Sequence, residues 1–337
     1  MKVAIGMRPR SGPWGGGNRF VVALVEALHR RGDRVVFDLA DGDIDILLLV
    51  DPRRKSESAS FQDRQIAAYL RRRPQAMVVH RVNECDERKG TVGINRRLRH
   101  ANLMADRTVF VSAWLMRLHL AQGWPCRRNG TILTGADRSI FNADGFVPWD
   151  GNGPLRVVTH HWGANRLKGF DIYERLDAML AEPEWAGRLQ FTYVGNLPQG
   201  YRFANATHVG PLDGPSLAAE LKRHHVYLTA SVNEPSGNHH IEGASCGLPL
   251  LYRVSGGITE YCEGFGVPFA DEAAFPDALR TMVATYSAQA AKMPAYTRSM
   301  DDTVAGYLAL FDEMAGRRPS GRLAKSIAWR LGNLIWR

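Results

Sequence analysis

With 337 residues, 45% of them hydrophobic, the chain has enough apolar material for two domains with cores of their own, which excludes a disordered protein. The four cysteines, Cys85, Cys126, Cys246 and Cys262, lie far apart with no C-x-x-C pair; they indicate neither a zinc site nor a disulfide framework, and a reducing compartment is expected. A net charge of +9 and a pI near 9.6 favour polyanionic partners, whether nucleic acid, anionic lipid or phosphorylated small molecules.

The N-terminal run KVAIGM reads as a strand, and its apolar part is too short for a signal-peptide core. No stretch of about 18 consecutive apolar residues follows anywhere, so a cytoplasmic protein is expected. A glycine loop, Ser11 to Gly17, leads into a helix in which Val21, Leu24, Val25 and Leu28 recur at helical spacing, with Gly32 as its stop. Strands are expected in RVVFDL, IDILLLV, QAMVVHRV and DRTVFVS, with helices in FQDRQIAAYLRRR and between Asn95 and Met104. Apolar, β-branched strands alternating with helices imply a parallel sheet covered on both faces. Basic clusters recur in this first third, at Arg53 to Lys55, Arg71 to Arg73 and Arg96 to Arg99, either as solvated helix faces or as a membrane-facing surface.

Between Asn142 and Pro154 the sequence is rich in Gly, Pro, Asn and Asp without an apolar period, and a domain boundary is expected there. The predicted division is an N-terminal domain over 1–145, a second over 146–315 and a basic tail over 316–337. The alternation then restarts with LRVVTHH, a helix from Phe170, LQFTYVG, a helix from Ser216, VYLTAS, a short helix from His239 to Cys246, and PLLYRV. The fold class is therefore α/β, with two tandem doubly wound Rossmann-like domains whose ligands collect at the carboxyl ends of the strands.

Gly243 to Gly247 spells G-x-S-x-G, but no histidine follows His240, so a serine elbow with its later histidine is excluded. There is no G-K-[ST] for a P-loop, and GPWGGG does not spell G-x-G-x-x-G. Asp41 to Asp45 offers D-x-D patterns but precedes its strand, which makes it an acidic turn; no metal and no resident cofactor are expected. Glu234 and Glu242, with seven residues between them, flank the start of a short helix where free amides suit a pyrophosphate and carboxylates suit sugar hydroxyls; isolated, they would be helix-end caps. Ser255, Gly256 and Gly257 follow the next strand, and glycine amides there can approach phosphate.

In order along the chain, Glu234, Glu242, Cys246-Gly247-Leu248-Pro249 and Gly256-Gly257-Ile258-Thr259-Glu260 resemble the E-x7-E signature of the retaining glycosyltransferases of family 4, which have the two-domain GT-B fold. Gly135 to Phe141, Lys168 to Asp171 and Gly15 to Gly17 resemble further motifs of that family. The resemblance implies a nucleotide sugar as co-substrate. Glu242 would bond the donor's ribose, Glu234 would lie by the transferred sugar, Lys168 would neutralise the leaving diphosphate, and the amides of Gly16 and Gly17 would approach it. The family's arginine five residues before the lysine is replaced by Gly163, so Arg166 either supplies that charge from a shifted loop or faces solvent.

His160 and His161, ending a strand, either reach the donor or pack, and His239 and His240 beside Glu242 pose the same choice. Near the end of the strand QAMVVHRV, His80 resembles the family's sugar-contacting histidine, with Arg81 and Asn83 as acceptor-side candidates. From Ala315 to Arg337 there is no acidic residue; six basic residues interleave with Leu323, Ile327, Leu331, Leu334 and Ile335, as in an interfacial helix, with Arg330 on the apolar side. Either this tail touches the inner membrane, where lipid-linked acceptors sit, or it packs on the body. The expected function is metal-independent, retaining transfer of a sugar to a glycan or lipid-linked acceptor. Two alternatives stand beside it: a sugar-nucleotide epimerase or phosphorylase, and a nucleic-acid-binding protein, although no nucleic-acid partner is expected.

Overall fold

Short apolar runs become buried parallel strands throughout the chain. The computed structural model describes residues 1–10, 15–53, 56–124, 128–317, 319 and 321–335. Ser11 to Trp14 of the glycine loop, Arg54, Lys55, Cys126, Arg318 and Arg337 lie outside the described residues. The chain forms two units, one of residues 1–133 and 301–337 and the other of residues 134–300.

The first unit holds a six-stranded parallel sheet of β1 (Lys2–Ile5), β2 (Arg34–Val36), β3 (Ile46–Leu49), β4 (Met77–Val82), β5 (Arg107–Phe110) and β6 (Asn129–Thr131), in the order β2-β1-β3-β4-β5-β6. Every residue of β1, β3 and β4 is buried. Side chains of a strand alternate between faces, so both faces of the sheet are covered, as a parallel sheet requires. The helices α1 (Gly15–Arg30), α2 (Asp63–Arg72), α3 (Ile94–Asn102) and α4 (Ala113–Ala121) provide that cover. α1 turns its apolar stripe of Phe20, Val21, Leu24 and Leu28 inward. Asp41 to Asp45 is an acidic turn that holds Lys2, whose ammonium pairs with Asp41 at 2.8 Å and with Asp43, while its amide donates to Asp45 at 2.7 Å.

In the second unit, β7 (Leu155–His161), β8 (Leu189–Gly195), β9 (Thr207–Val209), β10 (Val226–Thr229), β11 (Leu250–Arg253) and β12 (Gly266–Phe269) form a parallel sheet in the order β12-β11-β10-β7-β8-β9. Its helices are α5 (Phe170–Met179), α6 (Gly214–Leu221), α7 (Asn238–Ser245), α8 (Ile258–Cys262) and α9 (Phe275–Ala290). The strand order reverses direction between β7 and β10, which opens a crevice at their carboxyl ends. The core includes Tyr173, Phe191, Tyr193 and Phe275.

The division of the chain differs from the one expected at 145/146 and 315/316. The segment after Leu133 belongs to the second unit because its backbone is satisfied there: Thr134 donates to Tyr261 Oη at 3.1 Å, Trp149 to Tyr286 Oη at 3.0 Å, and Asp144 accepts from Lys222 at 2.9 Å. The last helices, α10 (Met300–Met314) and α11 (Arg322–Ile335), return to the first unit. Within α10, Tyr307 meets the Phe20 ring at 4.8 Å and Asp312 pairs with Arg31 at 2.8 Å. One side of α11 packs on the body: Trp329 is buried, its indole donates to Asp63 at 2.8 Å, and Arg322 and Lys325 both pair with Asp106.

Candidate active site

The crevice between β7 and β10 collects most of the chemistry-bearing side chains of the second unit. β7 ends on His160 and His161, after which a 3-10 turn, Arg166–Lys168, lifts Lys168 beside the sheet. The turn closes on Gly169 at φ +105°, where a Cβ would fall 2.5 Å from the Cβ of Ala230, so only glycine lets the chain pass β10 here. Beyond β10, Glu234 precedes α7, and Glu242 is the fifth of the eight residues of that helix.

Lys168 and Glu234 form an ion pair between side chains only 14% and 5% exposed. Glu242 lies 3.0 Å from His160 Nε2, and Tyr227 Oη lies 3.0 Å from His160 Nδ1. A carboxylate only accepts, so Nε2 carries the proton and donates to Glu242, leaving Nδ1 to accept the Tyr227 hydroxyl. Burial raises the Tyr227 hydroxyl well above its ordinary range, which keeps it a donor. The result is a relay, Tyr227 to His160 to Glu242, that fixes the carboxylate from inside the sheet. The sequence named His160 and Glu242 but not Tyr227, whose only signal was its place on the adjacent strand.

The neighbouring histidines are packed. His161 Nε2 lies 2.7 Å from Tyr173 Oη and His239 Nε2 2.9 Å from Thr229 Oγ1, while His240 lies against the Tyr261 ring. Burial, and next the charge of Lys168, hold His161 well below the usual imidazole range; burial does the same for His239 and pushes His240 down to about 3. All three are therefore neutral at pH 7. Arg253 completes the polar rim through a 2.7 Å pair with Asp171.

α7 reaches this position because Gly243 touches Tyr227: a Cβ there would sit 2.2 Å from the ring. The glycine of the apparent G-x-S-x-G thus serves helix-to-strand packing, and Ser245 ends the helix. Gly243→Ala is expected to overpack this contact, lowering stability by about 1–3 kcal/mol and displacing Tyr227 from His160. An unchanged thermal midpoint would contradict it.

Several expected roles meet a different structure. Gly256 lies against the Glu234 backbone and the Gly257 amide donates to the Glu234 carbonyl at 2.8 Å, so Gly257 holds the glutamate's loop and is not open to phosphate. Arg166 is exposed and pairs with Glu174. In the first unit, Gly16 and Gly17 belong to the opening turn of α1 and not to a loop. His80 and Arg81 lie within β4, which continues to Val82, and both are buried. His80 Nδ1 donates to Asn102 Oδ1 at 2.8 Å, and the Arg81 guanidinium stacks over Phe20 at 4.4 Å. Asn83, just past the strand, is half-buried.

No protein-family model matches the chain, and no curated protein sequence matches it. Solved structures do. A glycosyltransferase from Rickettsia africae ESF-5 superposes with a TM-score of 0.64 at 11% identity, over 94% of this chain and 98% of that one. Alr3699/HepE of Anabaena, in complex with UDP, gives 0.67 at 14% identity over 93% and 100%. WaaG, a glycosyltransferase involved in lipopolysaccharide biosynthesis, gives 0.62 at 13% identity over 94% and 100%. At such identities the likeness is one of fold: the chain is built, like the GT-B glycosyltransferases, from two Rossmann-like α/β domains.

Proposed function

We propose that the chain is a retaining, metal-independent glycosyltransferase that moves a sugar from a nucleoside-diphosphate donor to a glycan or lipid-linked acceptor. The observation that carries this reading is the Lys168–Glu234 pair set beside Glu242 at the point where the strand order of the second sheet reverses. Ligands of open α/β sheets bind at that point, and the groups present suit a sugar diphosphate. The fold likeness to glycosyltransferases, one of them crystallised with UDP-glucose, supports it.

In this reading Glu242, steadied by His160, accepts hydrogen bonds from the ribose. The diphosphate draws Lys168 from Glu234, and the glutamate then lies by the transferred sugar. The bond between the anomeric carbon and the phosphate oxygen breaks with its electron pair passing to the diphosphate. The acceptor oxygen bonds the same face of the anomeric carbon and yields its proton to the departing phosphate oxygen. Lysine and the amides at the start of α7 stabilise the charge that develops, in the manner of other preorganised sites. Incubation with UDP-, GDP- and ADP-sugars, scored for diphosphate release and for product anomeric configuration by NMR, tests it. Release from none of them, or an inverted product, would overturn the corresponding part.

A further inference from the structure

Three of the large hydrophobic side chains most exposed to solvent fall on one helix. Leu323, Ile327 and Leu331 of α11 are 77%, 49% and 53% exposed. Their spacing of four places them in one stripe, and Arg330, also exposed, falls on the same side. The opposite side of α11 is the one already fixed to the first unit: Trp329 donates to Asp63, its carbonyl meets His100 Nε2 at 3.0 Å, and Lys325 and Arg322 bind Asp106. The helix is therefore anchored by its polar and aromatic side and turns its apolar stripe outward, the reverse of an ordinary surface helix.

We infer that this outward face docks on an anionic lipid surface. Charge decides the occupant. The carboxylates near the helix, Asp63 and Asp106, have side chains only 3% and 5% exposed and are neutralised beneath it, while no acidic residue occurs between Ala315 and Arg337. Arg322 donates to the Pro74 carbonyl at 3.0 Å, which sets the start of α11 beside the exposed Arg71 and Arg72 at the end of α2. An apolar stripe with guanidinium groups on and around it suits the boundary between headgroups and acyl chains, where Arg330 extends its charge to the phosphates while its stem stays with the leucines. Among the described residues no helix is long and apolar enough to cross a membrane, so the contact is one of lying on the surface. The inference rests on α11 and stands or falls independently of the transfer reaction.

Flotation of the full chain with vesicles of phosphatidylglycerol and phosphatidylcholine, against vesicles of phosphatidylcholine alone, tests it. Flotation is expected with the anionic vesicles and to weaken as salt is raised. The triple variant Leu323→Ser, Ile327→Ser, Leu331→Ser is expected to lose at least tenfold in partitioning while keeping the wild-type melting temperature, since these side chains are exposed. Arg330→Gln, a milder change, is expected to lose a few-fold on anionic vesicles only. Equal flotation of the triple variant, or no flotation of the unmodified chain, would overturn the inference. So would a dimer in the absence of vesicles that the triple variant converts to monomer, because the stripe would then be covered by a second copy.

Discussion

Lys168→Ala is expected to lower turnover by about 10²–10³-fold, the usual loss when one preorganised group that faces developing charge is removed. The same change strips the partner from Glu234, whose side chain is only 5% exposed, and a carboxylate left buried without its cation costs about 3–5 kcal/mol. Loss of activity alone would therefore not separate catalysis from folding. The charge-neutral double variant Lys168→Met, Glu234→Gln separates them: stability is expected to recover most of what the single variant loses, while turnover does not. Glu242→Gln is expected to act differently, raising the donor KM by about tenfold to a hundredfold with little change in kcat, as when hydrogen bonds to a charged group are lost in ground state and transition state alike. Steady-state kinetics with the best donor of the sugar-nucleotide panel, alongside thermal melts, checks both. Wild-type turnover in Lys168→Ala, or an unmoved donor KM in Glu242→Gln, would remove these residues from the site.

What the sequence made legible follows from how local each signal is. The strand runs from KVAI to LLYR and the short helix after Glu234 are visible because apolar period, glycine stops and proline are properties of adjacent residues. So are the K-G step at Lys168 and the two glutamates, whose spacing is set within one loop and one helix. The rest depends on distant residues. His80 and Arg81 read as polar groups facing a cleft, whereas in the structure Phe20 and Asn102, distant in the chain, lie against them. Gly257 reads as a phosphate amide, yet its hydrogen bond is claimed by a carbonyl more than twenty residues earlier. Arg166 is drawn off by Glu174, and the tail returns to the first unit through Asp63 and Asp106, partners that no local pattern announces. The role of His160 was open for the same reason: only the sheet order brings Tyr227 and Glu242 to its two nitrogens.

Acid is expected to destabilise the second unit before the carboxylates take up protons. His161, His239 and His240 there, and His80 in the first unit, all have folded-state pKa values depressed by burial, to about 3 for His240 and about 4 for His80. The sign follows from proton counting. Between the depressed folded value and the ordinary one near 6.5, the unfolded chain binds more protons than the folded chain, so stability falls as pH falls through that window. Each such histidine costs about 1 kcal/mol between pH 6.5 and 5.5, or roughly 3 kcal/mol for the three around the crevice, a large share of ordinary domain stability. His224 and His225, also depressed, add to the second unit with the same sign, and His119 to the first. Calorimetry of the full chain between pH 7 and 5.5 is therefore expected to show the transition of the second unit moving down further than that of the first. Carboxylates held low by their cations, such as Asp63 beside Arg97, contribute only below about pH 4 and leave this window to the histidines. Melting temperatures independent of pH over that range would mean that the imidazoles take up protons without unfolding, and the packed, neutral histidine cluster around Glu234 and Glu242 would then be wrong.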